Sequence, residues 1–459
     1  MDTFLIYTPQ LTSRIDFIFT QIFFRVLKLE FGITVDINEY NAHEGPRMCY
    51  TEHRIGDTFW IKPYGMLHEQ GIRDHVVTVS DYDGLKIFFR TDENADLPFD
   101  IFSASFFLLT RYEEYLIMPG DKYDRFEAIQ SLAYLHGFLL EPLVDKWILL
   151  LKSKLRSKLP DFEFPVVKYS FISSIDIDNP FAFKHKGLIR TIGALIKALI
   201  KGDLNSFFGR FSTLGGTAKD PFDTYDYIDS VEHKYKTKSI YFFLVGDYGR
   251  HDTSVPFRKL AYQNLIKSIN AGHITGLHPS FNSNKSFELL EKEWKRLTKV
   301  TGQKVKRSRQ HYLQLKMPDT YRKLLRLGIR EEYSMGYASA LGFRASTSMP
   351  FRFYDLIEDS ESNLTIYPFE IMDVTLHNYL RVRATQAMSH ISRVIDEIKA
   401  VDGLFISLWH NESLSEQGMW IGWRKVFEDM FKYASVHELP VVEAPPIETE
   451  TTEETTGDD

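Results

Sequence analysis

From Tyr169 onward the chain alternates between two kinds of segment, and this alternation constrains its fold more than any other feature. Short apolar or β-branched runs (YSFISSID, SIYFFLVGD, HITGLHPS, VKRSRQHYLQL, EEYSMGY, LTIYPFEIMD, GLFISLWHN) are separated by segments with helical periodicity, such as PFRKLAYQNLIKSINAG and SFELLEKEWKRLTKV. Strands that regularly alternate with helices form a parallel sheet joined by crossover helices. Seven such units predict an α/β fold, an incomplete seven-stranded (β/α) barrel. No Gly-x-Gly-x-x-Gly follows the first strand, which disfavours an open dinucleotide-binding sheet.

Residues 1–162 mix strand-like pieces (DTFLIYT, HVVTVS, LKIFFRT) with two helical patterns, DIFSASFFLLTRYEEYL, capped by Asp100, and the run Leu132 to Leu159. This predicts a smaller α+β N-terminal domain. The prolines of KLPDFEFP, Lys158 to Pro165, mark the boundary, and the barrel is expected over 166–444. The segment 445–459 opens with Pro445-Pro446 and carries six carboxylates without a base, the composition of a disordered acidic tail. That tail accounts for most of the formal charge of −7, so the folded part is close to neutral and offers no concentrated basic surface for nucleic acid. With a single cysteine, Cys49, neither an intrachain disulfide nor a cysteine-based zinc ribbon can form. The N-terminal apolar run is too short for a signal peptide, so a cytoplasmic location is expected.

No stretch is apolar enough to span a bilayer. The segment GLIRTIGALIKALIKGD, Gly187 to Asp203, places Leu188, Ile192, Leu195, Ile196 and Leu199 on one helical face. It is read as an amphipathic helix packed on its own domain, with an interfacial helix as the alternative. Arg111 and Glu114, three residues apart, are read as a surface or interdomain ion pair. Cys49 and His53 are read as structural, and His251, His273 and His377 as helix-end or turn residues.

In a parallel barrel, functional groups collect at the C-terminal ends of the strands. Those ends carry Asp176 and Asp178, then His278 with Ser280, then Arg309 and His311, then Asp373, then His410 and Asn411. Carboxylates one residue apart on one strand face need a cation, proton or basic group between them. Carboxylate with imidazole suits a divalent metal, with zinc favoured. One acid can bind the metal while the other takes a proton from water, and His410 can supply a proton to a departing group.

At these residues the chain resembles the polysaccharide deacetylase family, carbohydrate esterases that remove acetyl groups from N-acetylated sugars in peptidoglycan, chitin or surface glycans. The likeness spans roughly Tyr169 to Val442. SIDID resembles the first motif, which implies Asp176 as base and Asp178 as ligand. GLHPS resembles the second, which implies His278 as ligand; SRQHY resembles the arginine motif, with Arg309 tethering the base. IMD and SLWH resemble the last two, with Asp373 orienting the acid His410. The second motif usually repeats histidine where this chain has Asn282, which leaves the third ligand open between His311, Asn282 and a water. Arg344 in GFRAST is assigned to substrate or to an ion pair with the Glu331-Glu332 run, and Trp409 to stacking on a sugar ring. The layout, including TRYEEYL and YSMGYASALGFRAST, is similar to two-domain bacterial deacetylase-like proteins whose N-terminal region has no established activity; the resemblance supplies no role for residues 1–162, and covering the barrel mouth or binding glycan are the two roles open to them. The resemblance implies a metal-dependent hydrolase acting on the N-acetyl amide of a sugar or glycan precursor. Two alternatives stand beside it: a glycan-binding or assembly protein that has lost turnover, and a hydrolase of another carbon–nitrogen bond, such as a small cyclic amide.

Overall fold

The computed structural model describes residues 3–116, 120–200 and 202–435; the predicted acidic tail lies outside them. The fold is mixed α/β with one large sheet. Near the N-terminus, β1 (Phe4–Tyr7), β2 (Phe31–Thr34), β3 (Arg47–Tyr50) and β4 (Phe59–Ile61) form a four-stranded sheet in the order β2-β1-β3-β4. All its pairings are parallel, and the small antiparallel hairpin β5 (Ser80–Tyr82) and β6 (Leu85–Ile87) lies apart from it. Asp100 caps the helix Ile101–Leu109 by accepting from the amides of Phe102 and Ser103. The predicted helix over Leu132–Leu159 is two helices, Leu132–Leu135 and Leu143–Lys158. Gly137, at φ +79°, and Pro142 interrupt it, because neither can continue a helical turn there.

The large sheet is built from β7 (Ser170–Ile177), β8 (Ser239–Leu244), β9 (Ile274–His278), β10 (Arg307–Ser308), β11 (Glu331–Glu332), β12 (Phe351–Asp355), β13 (Ser360–Ile366), β14 (Ile371–Met372) and β15 (Leu404–His410). Its order is β12-β13-β11-β10-β9-β8-β7-β15-β14, parallel throughout except for the β12 edge. Among the described residues this sheet has nine strands where seven are expected, for two reasons. The run LTIYPFEIMD is not one strand: Pro368 lacks the N–H that a sheet ladder needs, and β13 ends before it while β14 starts after it. The segment FRFYD adds the antiparallel edge. The sheet does not close: its two edge strands are β12 and β14.

Side-chain parity sorts each strand between two cores. On β15, Leu404, Ile406 and Leu408 face an inner cluster with Ile240 and Phe242 of β8, Met372 of β14, Tyr333 and Phe369. Phe405 and Trp409 face the outer cluster beneath the helices, with Ile175 and Ile177 of β7. Strands far apart in the sheet order thus share one interior, so the sheet curls around it. The outer cluster runs without a break into the N-terminal region, through Phe17 and Phe106 against Tyr354 for example.

Buried charge joins the same two regions. Arg14, fully buried, donates from Nε to Asp359 at 2.8 Å. Glu114 accepts from Arg111 Nε at 2.8 Å and from Arg344 Nη2 at 2.7 Å. The predicted Arg111–Glu114 pair is therefore buried at the centre of an ion network that joins the N-terminal region to the segment around Arg344.

Candidate metal centre and its cavity

The strand-end residues converge. Asp176, inward-facing on β7, accepts from Arg309 Nη1 at 2.9 Å, and Arg309 Nε donates to the Tyr333 carbonyl, also at 2.9 Å. The Arg309 guanidinium lies 4.5 Å from the centroid of the Phe242 ring and 5.7 Å from that of Phe369. These rings exclude water and hold the planar cation by its face. Gly276 makes room for the arrangement, since a Cβ there would come within 2.5 Å of the Phe242 ring.

Asp178, just beyond β7, faces two imidazoles. His278 Nε2 is 3.2 Å from its Oδ1 and His311 Nε2 is 3.4 Å from its Oδ2. The donor atoms of Asp178, His278 and His311 all lie within 4.8 Å of one another. Each ring is oriented from behind: His278 Nδ1 bonds the Arg309 carbonyl at 2.6 Å, and His311 Nδ1 bonds Asp252 at 2.8 Å. With Nδ1 engaged as a donor, each Nε2 keeps its lone pair for the centre, the usual arrangement of metal-binding histidines. Asp178 Oδ1 is buried without a hydrogen-bond partner. Two nitrogens and a carboxylate oxygen, oriented from behind and sharing one buried orphan acceptor, fit a divalent cation and match zinc in donor type.

Electrostatics point the same way. Burial works against charge on Asp178, yet His311 and His278 hold its carboxyl well below the usual range. Burial also works against a charged His311, but Asp178 and Asp252 push its pKa up to about 9. A site that draws a proton onto a buried imidazole so strongly is one that attracts a cation.

His410, the last residue of β15, lies on the inner face and so reaches this site. Its Nδ1 bonds Asp373 Oδ1 at 2.8 Å, its backbone amide donates to the other oxygen of Asp373 at 2.7 Å, and its Nε2 stands 3.9 Å from Asp178. Burial opposes its charge, but Asp373 above all raises its pKa to about 10. Beside it, burial and the repulsion of Asp178 push Glu412 up to about 7.

These groups open into a cavity of about 740 Å³. One wall comes from the N-terminal region, through Asp121, Tyr123, Arg125 and Glu127. Arg125 pins this loop by donating to the Tyr312 carbonyl at 3.0 Å and to Asp121. The loop and Tyr312, Asp252 and Glu412 were not singled out from sequence. Asp252 lies eight residues beyond β8, and the carboxylate nearer that strand end, Asp247, pairs with Lys292 and Arg296 instead, so the strand-end rule carried no signal for it. Nothing local to residues 121–127 signals their place at the cavity.

Several sequence-predicted residues are elsewhere. Trp409 is fully buried on the outer face of β15, donating to the Met430 sulfur at 3.3 Å and packing on Phe427. It cannot stack on a sugar, because neighbours along a strand point to opposite faces. Arg344 is 2 % exposed and spends its guanidinium on Glu114 and the Gly336 carbonyl, which leaves it neither for substrate nor for Glu331-Glu332. Asn282 is exposed and outside the ligand group. His251 stacks on Phe281, His273 bonds Glu232 at 2.8 Å, and His377 packs on Trp420. Cys49 is buried on β3, its sulfur 3.6 Å from the Thr58 hydroxyl.

Residues 4–160 match a family of unknown function, DUF7033. No curated protein matches the chain. Solved structures similar to it include a Mycobacterium smegmatis protein described as a polysaccharide deacetylase, at 11% identity over 59% of this chain and 86% of that one, with a TM-score of 0.38. The polysaccharide deacetylase Bc1974 from Bacillus cereus aligns at 10% identity over 58% and 87%, with a TM-score of 0.27. The allantoinase PuuE aligns at 9% identity over 58% and 90%, with a TM-score of 0.36.

Proposed function

We propose that the chain is a metal-dependent hydrolase that removes the acetyl group from the N-acetyl amide of a sugar or glycan precursor. One observation carries this reading: the Asp178, His278 and His311 donors lie beside Asp176, which Arg309 holds, and within reach of His410, which Asp373 holds. The substrate class follows from the motif resemblance at these same residues.

Asp178, His278 and His311 would hold the cation, which would supply Lewis acidity toward water and an acyl oxygen. Asp176 is the base that takes a proton from the attacking water. Its Oδ1 is bound by Arg309, and its Oδ2, 3.7 Å from His278 Nε2, is on the cavity side. His410 carries the proton that the departing amine nitrogen needs. Asp373 fixes Nδ1, so Nε2 is the atom that donates. The loop at Asp121–Glu127 narrows the cavity against the sugar and excludes water from it.

Asn282 stands where the family pattern repeats histidine, a departure that speaks for a protein without turnover. His311, grouped with Asp178 and His278, offers a third donor in its place, which favours the hydrolase reading. Two measurements test the proposal: metal content of the purified chain and its Asp178→Ala variant, and acetate release from a panel of N-acetylated sugars with Asp176→Asn as control. Stoichiometric zinc with acetate release is expected; a chain that binds no divalent metal under any condition would sink the reading.

A further inference from the structure

The connection between β7 and β8 contains the helices Leu188–Ile200 and Leu204–Leu214, which pack on each other. Contrary to the expectation of a helix packed on its own domain, their apolar side chains face outward. Ile189 is 88% exposed, Ile200 80%, Leu188 76% and Phe208 62%, with Ile192 and Ile196 about half exposed (47% and 52%). In the first helix only Ala198 is buried. At about 100° per residue, Leu188, Ile189, Ile192, Ile196 and Ile200 fall within one third of the helix circumference, so they form a continuous stripe. An apolar surface of this extent on a folded protein marks a place where something docks.

The charge around it identifies the occupant. From Phe181 to Leu214 the chain has four lysines and two arginines against a single acid, Asp203, within a protein of net charge −7. A second copy seated face to face would set this basic excess against itself. An apolar helical stripe beside a basic excess complements an anionic lipid surface, where the apolar side chains enter the headgroup boundary and exposed bases such as Lys197 meet phosphates. Among the described residues no helix is long and apolar enough to cross a membrane, so the contact is with the surface.

We infer that the helical pair Leu188–Leu214 docks the protein on an anionic bilayer. The pair is tied to the cavity rim. It begins ten residues after Asp178, and Arg190 donates to the carbonyls of Thr253 and Ser254 at 2.7 and 3.1 Å, directly after Asp252, which holds His311. If the hydrolase reading holds, docking brings the cavity to sugars carried on membrane lipids; the docking itself does not depend on that reading.

The test is co-sedimentation of the full chain with phosphatidylcholine vesicles containing or lacking phosphatidylglycerol, which requires no catalysis. Binding is expected with phosphatidylglycerol, weakened by salt, and reduced about tenfold or more in phosphatidylcholine alone and in the triple variant Ile192→Glu, Ile196→Glu, Phe208→Glu. Circular dichroism checks that the triple variant stays folded, and Lys197→Glu, a single exposed change, should weaken binding with the helices intact. Absence of wild-type binding, or equal binding by wild type and the triple variant, would overturn the inference. So would a wild-type dimer that the triple variant dissociates while neither form binds vesicles, which would assign the face to a second copy.

Discussion

Arg309 Nη1 meets Asp176 Oδ1 at 2.9 Å, although β10 and β7 stand three places apart in the sheet. In a flat sheet three strand spacings are about 14 Å, beyond the reach of an arginine to an aspartate. The contact therefore depends on the curl of the sheet around its inner apolar cluster. Both groups are almost wholly buried, so each is the other's main compensation.

Replacing Asp176 with alanine leaves Arg309 charged and uncompensated. A loss of about 3–5 kcal/mol is expected in urea unfolding. Asp176→Asn retains a hydrogen-bond acceptor for Arg309 but not a base. It should keep bound metal and lose about 10²–10⁴-fold in turnover. Loss of metal with intact activity would reverse the roles of Asp176 and Asp178.

His311 and Asn282 make opposite predictions for metal content. His311→Ala should abolish stoichiometric binding, while Asn282→Ala should leave it unchanged, because Asn282 is outside the donor group. Asp252→Asn, which alters only the group behind His311, should weaken affinity by about 10–100-fold in a chelator competition.

The pH behaviour of His410 has a definite sign. Its pKa in the fold, about 10, lies above the ordinary 6.5. It therefore contributes stability that is fully present below 6.5 and is lost as pH rises toward 10. The metal-free His410→Gln variant should show a flatter stability profile over that window in denaturant titrations. Asp373→Asn removes the strongest cause that raises the pKa, so the alkaline limb of the turnover profile should move to lower pH.

Glu114 tests the ion network that joins the N-terminal region to Arg344, apart from the candidate metal site. Burial opposes its charge, but Arg344 and Arg111 hold its pKa down to about 2. Its contribution is present above 4.5 and is lost as pH falls toward 2. Glu114→Ala should cost about 3–5 kcal/mol by stranding the buried Arg344 guanidinium and leaving Arg111 with Glu113 alone, without changing metal stoichiometry. Unfolding curves together with metal analysis check both halves.

Much of the site was legible because parallel strands present their ends in chain order. Asp176, Asp178, His278, Arg309, His311, Asp373 and His410 could be named from strand-end position and resemblance alone. Parity along β15 could also have corrected Trp409: if His410 faces inward, its neighbour faces the helices. The break at Pro368 was equally visible in the letters, though the run around it was read as one strand.

Sequence alone determined the local periods, the order in which chemical groups arrive at strand ends, and the face each residue shares with its neighbours two places away. Tertiary structure decided which of those groups meet: His311 rather than Asn282 beside Asp178, Arg344 on Glu114 rather than in the cavity, the loop at Asp121–Glu127 over the site, and an amphipathic helix left uncovered. The reason is that period is a property of a short segment, whereas contact across more than a hundred residues depends on how the sheet curls and what the N-terminal region packs against.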